Sequence, residues 1–499
     1  KKNNNNTRHS TLLHRRQRRG GQRTASRPQL RRREDGAALS GTMAPEEKSH
    51  SQPVRAWSWS SIPLDLAGLV LRLLRSYANR ARFAAVWFAR GGTVVAEKKP
   101  NLQPPALSWS SIPLDLAGLV LRLLPAHADR ARFASVCLQW RAAARQQLLP
   151  RPLPLLALPD GTFYSLPYTK PFRFPGCGFA GYQSACGSWL VFPRDDGCFL
   201  VDPFSRETVT LPPLSSVRLR PPNAVAKWSY EHGAKVADPY VTWMHMKDSD
   251  KLHISKLVVC SPNLVAALVG IGYTSQILMC QPGALSWSVR AYDRCKRFED
   301  MSFYQGKIYA LTKGENLLVV NISGDQSTGD PQVSRIGQVI KGDPWYSIAF
   351  TNNAMLCKKL YLVESCGAML MVRRTIVCRV PESGLYGEAV AGWSAFEVFK
   401  ADFEHSWWVS VSTVGANQVL FLGRRCSRAV SLSPYGVLGD QISFLDDDEE
   451  NRMEYGYDKE NASFGTYDIR SGGFSSVHPE ISWKRCDEMR LAAWLFPHD

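Results

Sequence analysis

The side chains able to do chemistry are scattered along this sequence rather than grouped. His245 stands between Met244 and Met246, a nitrogen and sulfur set of the kind that suits copper, but no second histidine lies at ligand spacing. An alternating strand carrying one exposed histidine is the expectation there. Twelve cysteines, at 137, 177, 186, 198, 260, 280, 295, 357, 366, 378, 426 and 486, form no C-x-x-C pair, so zinc is not expected. Their low density, with no evident secretion signal, points to reduced and mostly buried thiols. Asp446 to Glu450 is an unbroken acidic run without the spaced ligands and glycine of a calcium loop, and reads as a solvated loop. The sequence contains no G-x-S-x-G, no phosphate-cradling G-x-x-x-x-G-K-[ST] and no H-E-x-x-H. No cofactor is implied, and a non-catalytic protein is expected.

If chemistry does not organise the chain, binding must, and the elements that would present a binding surface come next. The 499 residues are 44% hydrophobic and 21% charged, enough apolar material for one large domain and a small one. The formal charge is +17, but residues 1 to 42 hold twelve Lys or Arg against Glu34 and Asp35, a net of +10. The other 457 residues therefore carry only +7 without a basic block, so nucleic acid is not an expected partner. The longest apolar stretch, Leu257 to Ile271, is broken by the turn signal Ser261-Pro262-Asn263, and no segment is long enough to span a bilayer.

Residues 1 to 56 are basic and lack apolar periodicity, so they are expected to be disordered. The first methionine is Met43, where composition becomes ordinary, and translation is expected to start there. Two alternatives for the basic stretch remain open, a nuclear address or an organelle transit peptide. The cytoplasm or the nucleus is the expected compartment, with organelle import as the alternative.

Residues 58 to 74, SWSSIPLDLAGLVLRLL, recur letter for letter at 108 to 124. The first copy, residues 57 to 90, then degenerates, and residues 91 to 107 read as a linker. In the second copy Leu116, Leu119, Val120, Leu123 and Leu124 fall at i, i+3, i+4, i+7 and i+8, one stripe on a helix that Pro113 opens and Pro125 closes. A second helix fits Asp129 to Val136, with Asp129 near its positive end. A third runs from about Cys137 to Leu149. Three short helices bury too little surface to stand alone, so the module must dock, either on a partner or on its own C-terminal domain.

The string IPLDLAGLVLRLLPAHADRARFASVCLQWR, residues 112 to 141, resembles the F-box. The matching positions are Ile112-Pro113, Asp115-Leu116, Val120-Leu121, Leu124-Pro125, Asp129, Arg132-Phe133, Val136-Cys137 and Trp140-Arg141. That resemblance implies a module at residues 108 to 149 that binds a Skp-type adaptor, and through it a cullin. The implied contact residues are Ile112, Pro113, Leu116, Val120, Leu123, Leu124, Pro125, Val136, Cys137 and Trp140. Ile112 and Arg130 depart mildly from the family pattern. The first copy departs more, with Arg75 in place of the helix-ending proline, Asn79 in place of the aspartate and the last motif lost, and is expected to bind poorly.

From Leu153 onward, short β-branched and aromatic runs alternate with Gly, Pro, Asp and Asn turns. The runs are Gly197 to Pro203, Thr208 to Leu211, Lys256 to Cys260, Val265 to Ile271, Lys307 to Leu311, Leu317 to Asn321, Lys359 to Val363, Val419 to Leu422 and Phe464 to Ile469. So many strands in one domain suit a β-propeller, although no clean repeat period is visible. The last strand, near Ala492 to Phe496, is expected to pair with the first, near Leu155 to Tyr164, and close the ring. The aromatic pairs Trp345-Tyr346 and Trp407-Trp408 read as loop anchors or as blade packing.

Five segments, Leu200 to Leu214, Pro282 to Val289, Phe298 to Val320, Val419 to Gly436 and Asn461 to Phe474, resemble the C-terminal domain of plant F-box proteins with a KIB-type β-propeller, once catalogued as domain-of-unknown-function 295. The expected fold class is therefore a small all-α F-box module with a degenerate duplicate, followed by a large all-β domain over residues 153 to 499. The resemblance implies a substrate-recognition adaptor of a Skp-cullin-F-box (SCF) ubiquitin ligase with an unknown protein substrate. The alternative is a stoichiometric binder or inhibitor of a protein kinase acting through the propeller.

Overall fold

Turn chemistry cuts the C-terminal part of the chain into strands, and the geometry of those turns is visible in the structure. At Gln305-Gly306 both residues have positive φ, 47° and 74°, the two-residue turn whose twist matches that of the flanking strands. It joins Phe298–Tyr304 to Lys307–Thr312 in antiparallel register, Tyr304 opposite Lys307. The computed structural model describes residues 114–498 except 147, 167–170, 177, 226–240, 273, 325–328, 343–349, 352–353, 380–389, 416, 433–438, 446–460, 463, 476–482 and 485–491. The basic N-terminal segment, the first repeat copy and the linker lie outside the described residues, as do Ile112, Pro113, Trp345, Tyr346 and the acidic run.

Six sheets form the blades of a propeller. In spatial order, blade one holds Ala493–Leu495, Leu155–Ala157, Phe163–Ser165 and Pro171–Phe172. Blade two runs Ser184–Cys186, Trp189–Arg194, Gly197–Val201 and Thr208–Thr210. Blade three runs His253–Ser261, Leu264–Ile271, Thr274–Cys280 and Trp287–Arg290, with Val217–Arg220 added in parallel. Blade four comprises Phe298–Tyr304, Lys307–Thr312, Leu317–Gly324 and Pro331–Ile340. Blade five comprises Phe350–Thr351, Ala354–Ser365, Ala368–Arg379, Val390–Asp402 and Trp407–Val411. Blade six places Arg428–Ser431, Gln418–Leu422, Gln441–Leu445, Phe464–Asp468 and Phe474–Ser475 side by side.

The expected ring closure is formed. The C-terminal strand pairs antiparallel with the first, Leu155 opposite Leu495 and Ala157 opposite Ala493. Trp494 between them is fully buried, donates its indole N–H to the Leu422 carbonyl of blade six at 3.0 Å, and meets Phe421 edge-on. Strands nearer the axis are covered on both faces, because neighbouring blades pack against them. Leu264–Ile271 is buried at six successive positions and so lacks the alternation of a half-exposed strand.

Buried carboxylates staple one blade to the next. Asp300 of blade four is 1% exposed, pairs with Lys256 of blade three at 2.7 Å and accepts the Leu362 N–H of blade five at 2.8 Å. Glu315, in the turn after Lys307–Thr312, accepts two bonds from the Arg373 guanidinium at 2.9 and 2.7 Å and one from Lys358 at 2.9 Å. Asp440 instead ties the turns of blade six to one another, accepting from Val414 N at 3.1 Å and Arg470 Nε at 2.8 Å. A buried carboxylate is stable only with its lone pairs filled, and each of these is filled from distant sequence.

Ahead of the propeller lie three helices, α1 (Leu114–Arg122), α2 (His127–Val136) and α3 (Leu138–Gln146). The second starts two residues earlier than the sequence suggests, and the third starts one residue later and ends three earlier. A fourth, short helix, α4, covers Trp243–Met246. It corrects the expected strand at His245. The Thr242 N–H donates to His245 Nδ1 at 3.0 Å, a capping contact that favours a helical turn over an extended one.

Candidate functional site

Two regions present surface fit for binding, the helical module and the central channel. In the module, Leu121, Leu124, Phe133 and Trp140 are buried, and Phe133 stacks on Trp140 with ring centroids 4.0 Å apart. Pro125 is also buried. The three helices close over their own apolar stripe, because that is the shortest route to covering a large indole. Val120, Leu123 and Cys137 are half-buried, and the backbone of Leu116 lies in α1. Among the described residues of the module, the large apolar side chains that face solvent are Leu114 at 37%, Val136 at 45%, Leu138 at 80% and Leu148 at 92% exposed. Of the sequence-derived contact residues whose side chains are described, Val136 belongs to this set. Leu138 was missed because the motif drew attention to Trp140 two positions on.

The module is fastened to the propeller. Leu153 N donates to the Pro125 carbonyl at 2.8 Å, Ala126 and Leu153 form a parallel bridge, and Ala128 N donates to Ser165 Oγ at 3.3 Å. The His127 ring meets Phe204 of the propeller edge-on at 4.9 Å. Burial, reinforced by the Arg130 charge, lowers the His127 pKa to about 4, so the imidazole is neutral at physiological pH.

At the axis is a cavity of about 700 Å³ bordered by residues of all six blades. Phe496 and His498 come from blade one, Ser188 from two, Lys256 from three, Ser302 from four, Glu364 from five, and Arg425 and Arg428 from six. Cys186 and Cys426 also border it. Cys426 Sγ accepts the Gly187 N–H at 3.2 Å, and burial pushes the Cys186 thiol up to about 12, which keeps it protonated and unreactive. The nine cysteines whose side chains are described are all free thiols.

Residues 155–468 match the sequence profile of the KIB1-4 β-propeller, more than half of the chain. The chain belongs to the KIB1-4 β-propeller family. No curated protein matches it. Among solved structures, a protein from Lactobacillus plantarum aligns at a TM-score of 0.23 and 8% identity, covering 64% of this chain and 98% of that one. A structure from a study of two prolyl endopeptidases, their inter-domain dynamics, catalysis and specificity, aligns at 0.22 and 9% identity, covering 63% of this chain and 55% of its own. Both are too distant to inform fold or function.

One constellation in the KIB-type propeller has the residue types of a hydrolase. His498 meets Ser188 Oγ at 3.0 Å and also contacts the buried Asp202. Both partners bond the same ring nitrogen, Nε2, whereas a working triad sets the acid on the nitrogen opposite the hydroxyl. Asp202 also accepts from Phe204 N at 2.7 Å and Ser205 N at 3.1 Å, which makes it an anchor for its own turn and for the C-terminus. Among the described residues no three His, Cys, Asp or Glu side chains gather as a metal site, and no helix is long and apolar enough to cross a membrane.

Proposed function

We propose that this chain is the substrate-recognition adaptor of an SCF-type ubiquitin ligase, in which residues 108–149 engage a Skp-type subunit and the propeller holds a protein substrate. The observation that carries the reading is the run of F-box-like pairs from Ile112-Pro113 to Trp140-Arg141, set directly before the propeller. A β-propeller is consistent with protein binding and substrate recognition. Three further features support the reading: the stretch forms three helices between Leu114 and Gln146, it leaves Val136 and Leu138 exposed, and it is tied to the start of the propeller by the Leu153 N–H bond to the Pro125 carbonyl. A ligase adaptor acts by proximity, so it needs two binding surfaces in fixed relation and no reactive group of its own.

The test uses purified full-length protein and a Skp-type subunit under reducing conditions. Wild type is expected to form a stable complex. Val136→Asp with Leu138→Asp should weaken it at least tenfold while leaving the thermal midpoint unchanged, since both side chains are exposed. Deleting residues 44 to 100 should change nothing. Absence of any complex with the wild-type chain sinks the reading.

A further inference from the structure

The cavity at the axis extends outward between two blades. Its border takes a residue from every strand of blade two: Cys186 on the strand nearest the axis, then Trp189, Leu200 and, on the outermost strand, Val209. Three strand spacings of about 4.8 Å carry it outward by about 14 Å, a distance that extended chain covers in about four residues. The facing wall belongs to blade three. Val258, Val259 and Ser261 border it from that blade's innermost strand, and Pro282 from the turn before Trp287–Arg290. The cavity is therefore a radial groove opening on the axis, and its volume of about 700 Å³ admits several side chains. Trp189, Val209, Val258, Pro262, Pro282 and Phe303 border it and each keeps part of its surface uncovered.

The charged side chains on the border divide into those the fold has engaged and those it has not. Lys256 is paired with Asp300 at 2.7 Å. On blade six, Arg425 donates to the Ile254 carbonyl at 3.1 Å and the Arg428 guanidinium lies 5.8 Å from the Phe496 ring centroid, so both arginines are engaged within the fold. His498 is held by Asp202 and Ser188. Glu207 and Glu364 remain. Both are exposed, and among the described residues neither carboxylate has a basic partner; Glu364 accepts only the Gly367 N–H, at 2.9 Å. They stand at the two ends of the groove, Glu364 on the innermost strand of blade five and Glu207 beside the outermost strand of blade two.

An extended segment laid along such a groove turns alternate side chains to its wall. Apolar side chains would cover the uncovered surface of blades two and three. Lys and Arg suit the ends, because their stems pack on apolar walls while the charged heads reach the carboxylates. We infer that the groove is the substrate-reading site and takes an extended basic segment of a protein, apolar side chains against Trp189, Val209 and Val258, and cationic ones on Glu207 and Glu364. Calling the occupant a substrate rests on the adaptor reading; the groove and its chemistry do not.

The experiment titrates the full-length chain with fluorescein-labelled hexapeptides and reads anisotropy. The probes are alternating Lys-Leu, alternating Lys-Ser and alternating Glu-Leu. The chain carries a formal charge of +17, so its overall field does not favour a basic peptide and binding of one reports a local site. Lys-Leu should bind, more weakly as salt rises, and Glu-Leu should not. Lys-Ser should bind about fivefold more weakly or worse, having lost the apolar contacts. Glu207→Gln with Glu364→Gln should weaken Lys-Leu binding about tenfold or more while leaving the thermal midpoint unchanged, since both side chains are exposed.

Absence of Lys-Leu binding, or equal binding by wild type and the double variant, overturns the inference. So does tighter binding of Glu-Leu than of Lys-Leu, which would give the site to Arg425 and Arg428. Skp-subunit capture by the same samples keeps the two claims apart. The double variant should capture it as wild type does, whereas a wild-type chain that binds Lys-Leu without capturing any Skp-type subunit would sink the adaptor reading and leave the groove standing.

Discussion

Lys256 and Asp300 show why single residues matter in this ring. They sit at 7% and 1% exposure, 2.7 Å apart, and between them touch blades three to six through the Leu362 N–H and the Arg424 carbonyl. Asp300→Ala leaves a buried ammonium without its partner and should cost about 3–5 kcal/mol in denaturant unfolding. A loss under 1 kcal/mol would mean that the staple contributes little. Trp140 and Leu138 make an opposed pair. Trp140→Ala opens the stack on Phe133 and should cost about 3–5 kcal/mol, whereas Leu138→Asp, at an exposed site, should leave stability within about 0.5 kcal/mol. None of these roles could be read from the sequence. The motif marks Trp140 as important without saying which way it points, and Asp300 meets Leu362 only after 62 residues of chain.

At the scale of elements, strands with continuous apolar runs were legible. Leu264–Ile271, Lys307–Thr312 and Gln418–Leu422 fall where the pattern puts them. The long strand Ala368–Arg379 was missed, because Arg373 and Arg374 interrupt its apolar pattern. Both are buried, the first paired with Glu315 and the second lying over the Phe444 ring at 4.4 Å. The junction between helices and propeller makes a pH prediction. His127 stays neutral in the fold down to about pH 4, while in the unfolded chain it takes up a proton below about 6.5. Stability from this group is complete above pH 6.5 and falls as pH drops toward 4, by on the order of 3 kcal/mol. Thermal melts from pH 7 to 4.5 should show this loss, and His127→Phe should reduce it; equal slopes for the two proteins would contradict the assignment. Ring closure gives a second test. Removing residues 490–499 deletes the Ala493–Leu495 strand and the buried Trp494, and should lower the melting temperature sharply. An unchanged melt would mean that the terminal strand does not hold the ring.

Over the whole molecule, sequence alone gave a helical module joined to an all-β domain, and the family match with six blades bears out the propeller. Blade number was not legible, because the blades carry four or five strands and loops of unequal length, which erases any period. The proposed adaptor gains from the architecture described here. The bond from Leu153 N to the Pro125 carbonyl, the Ala126–Leu153 bridge and the Ala128 N–H bond to the Ser165 hydroxyl fasten the helices to the propeller, so a partner on the helices and a substrate on the propeller would be held at a set separation.

The most direct measurement is affinity purification of the full-length chain from cells with the proteasome inhibited, alongside the Val136→Asp, Leu138→Asp variant. The account predicts that wild type recovers a Skp-type subunit and a cullin, and that the variant loses both while keeping the propeller's own binding partners. Recovery of neither subunit by the wild-type protein, with those partners still present, would contradict it and leave a propeller that binds without delivering anything for degradation.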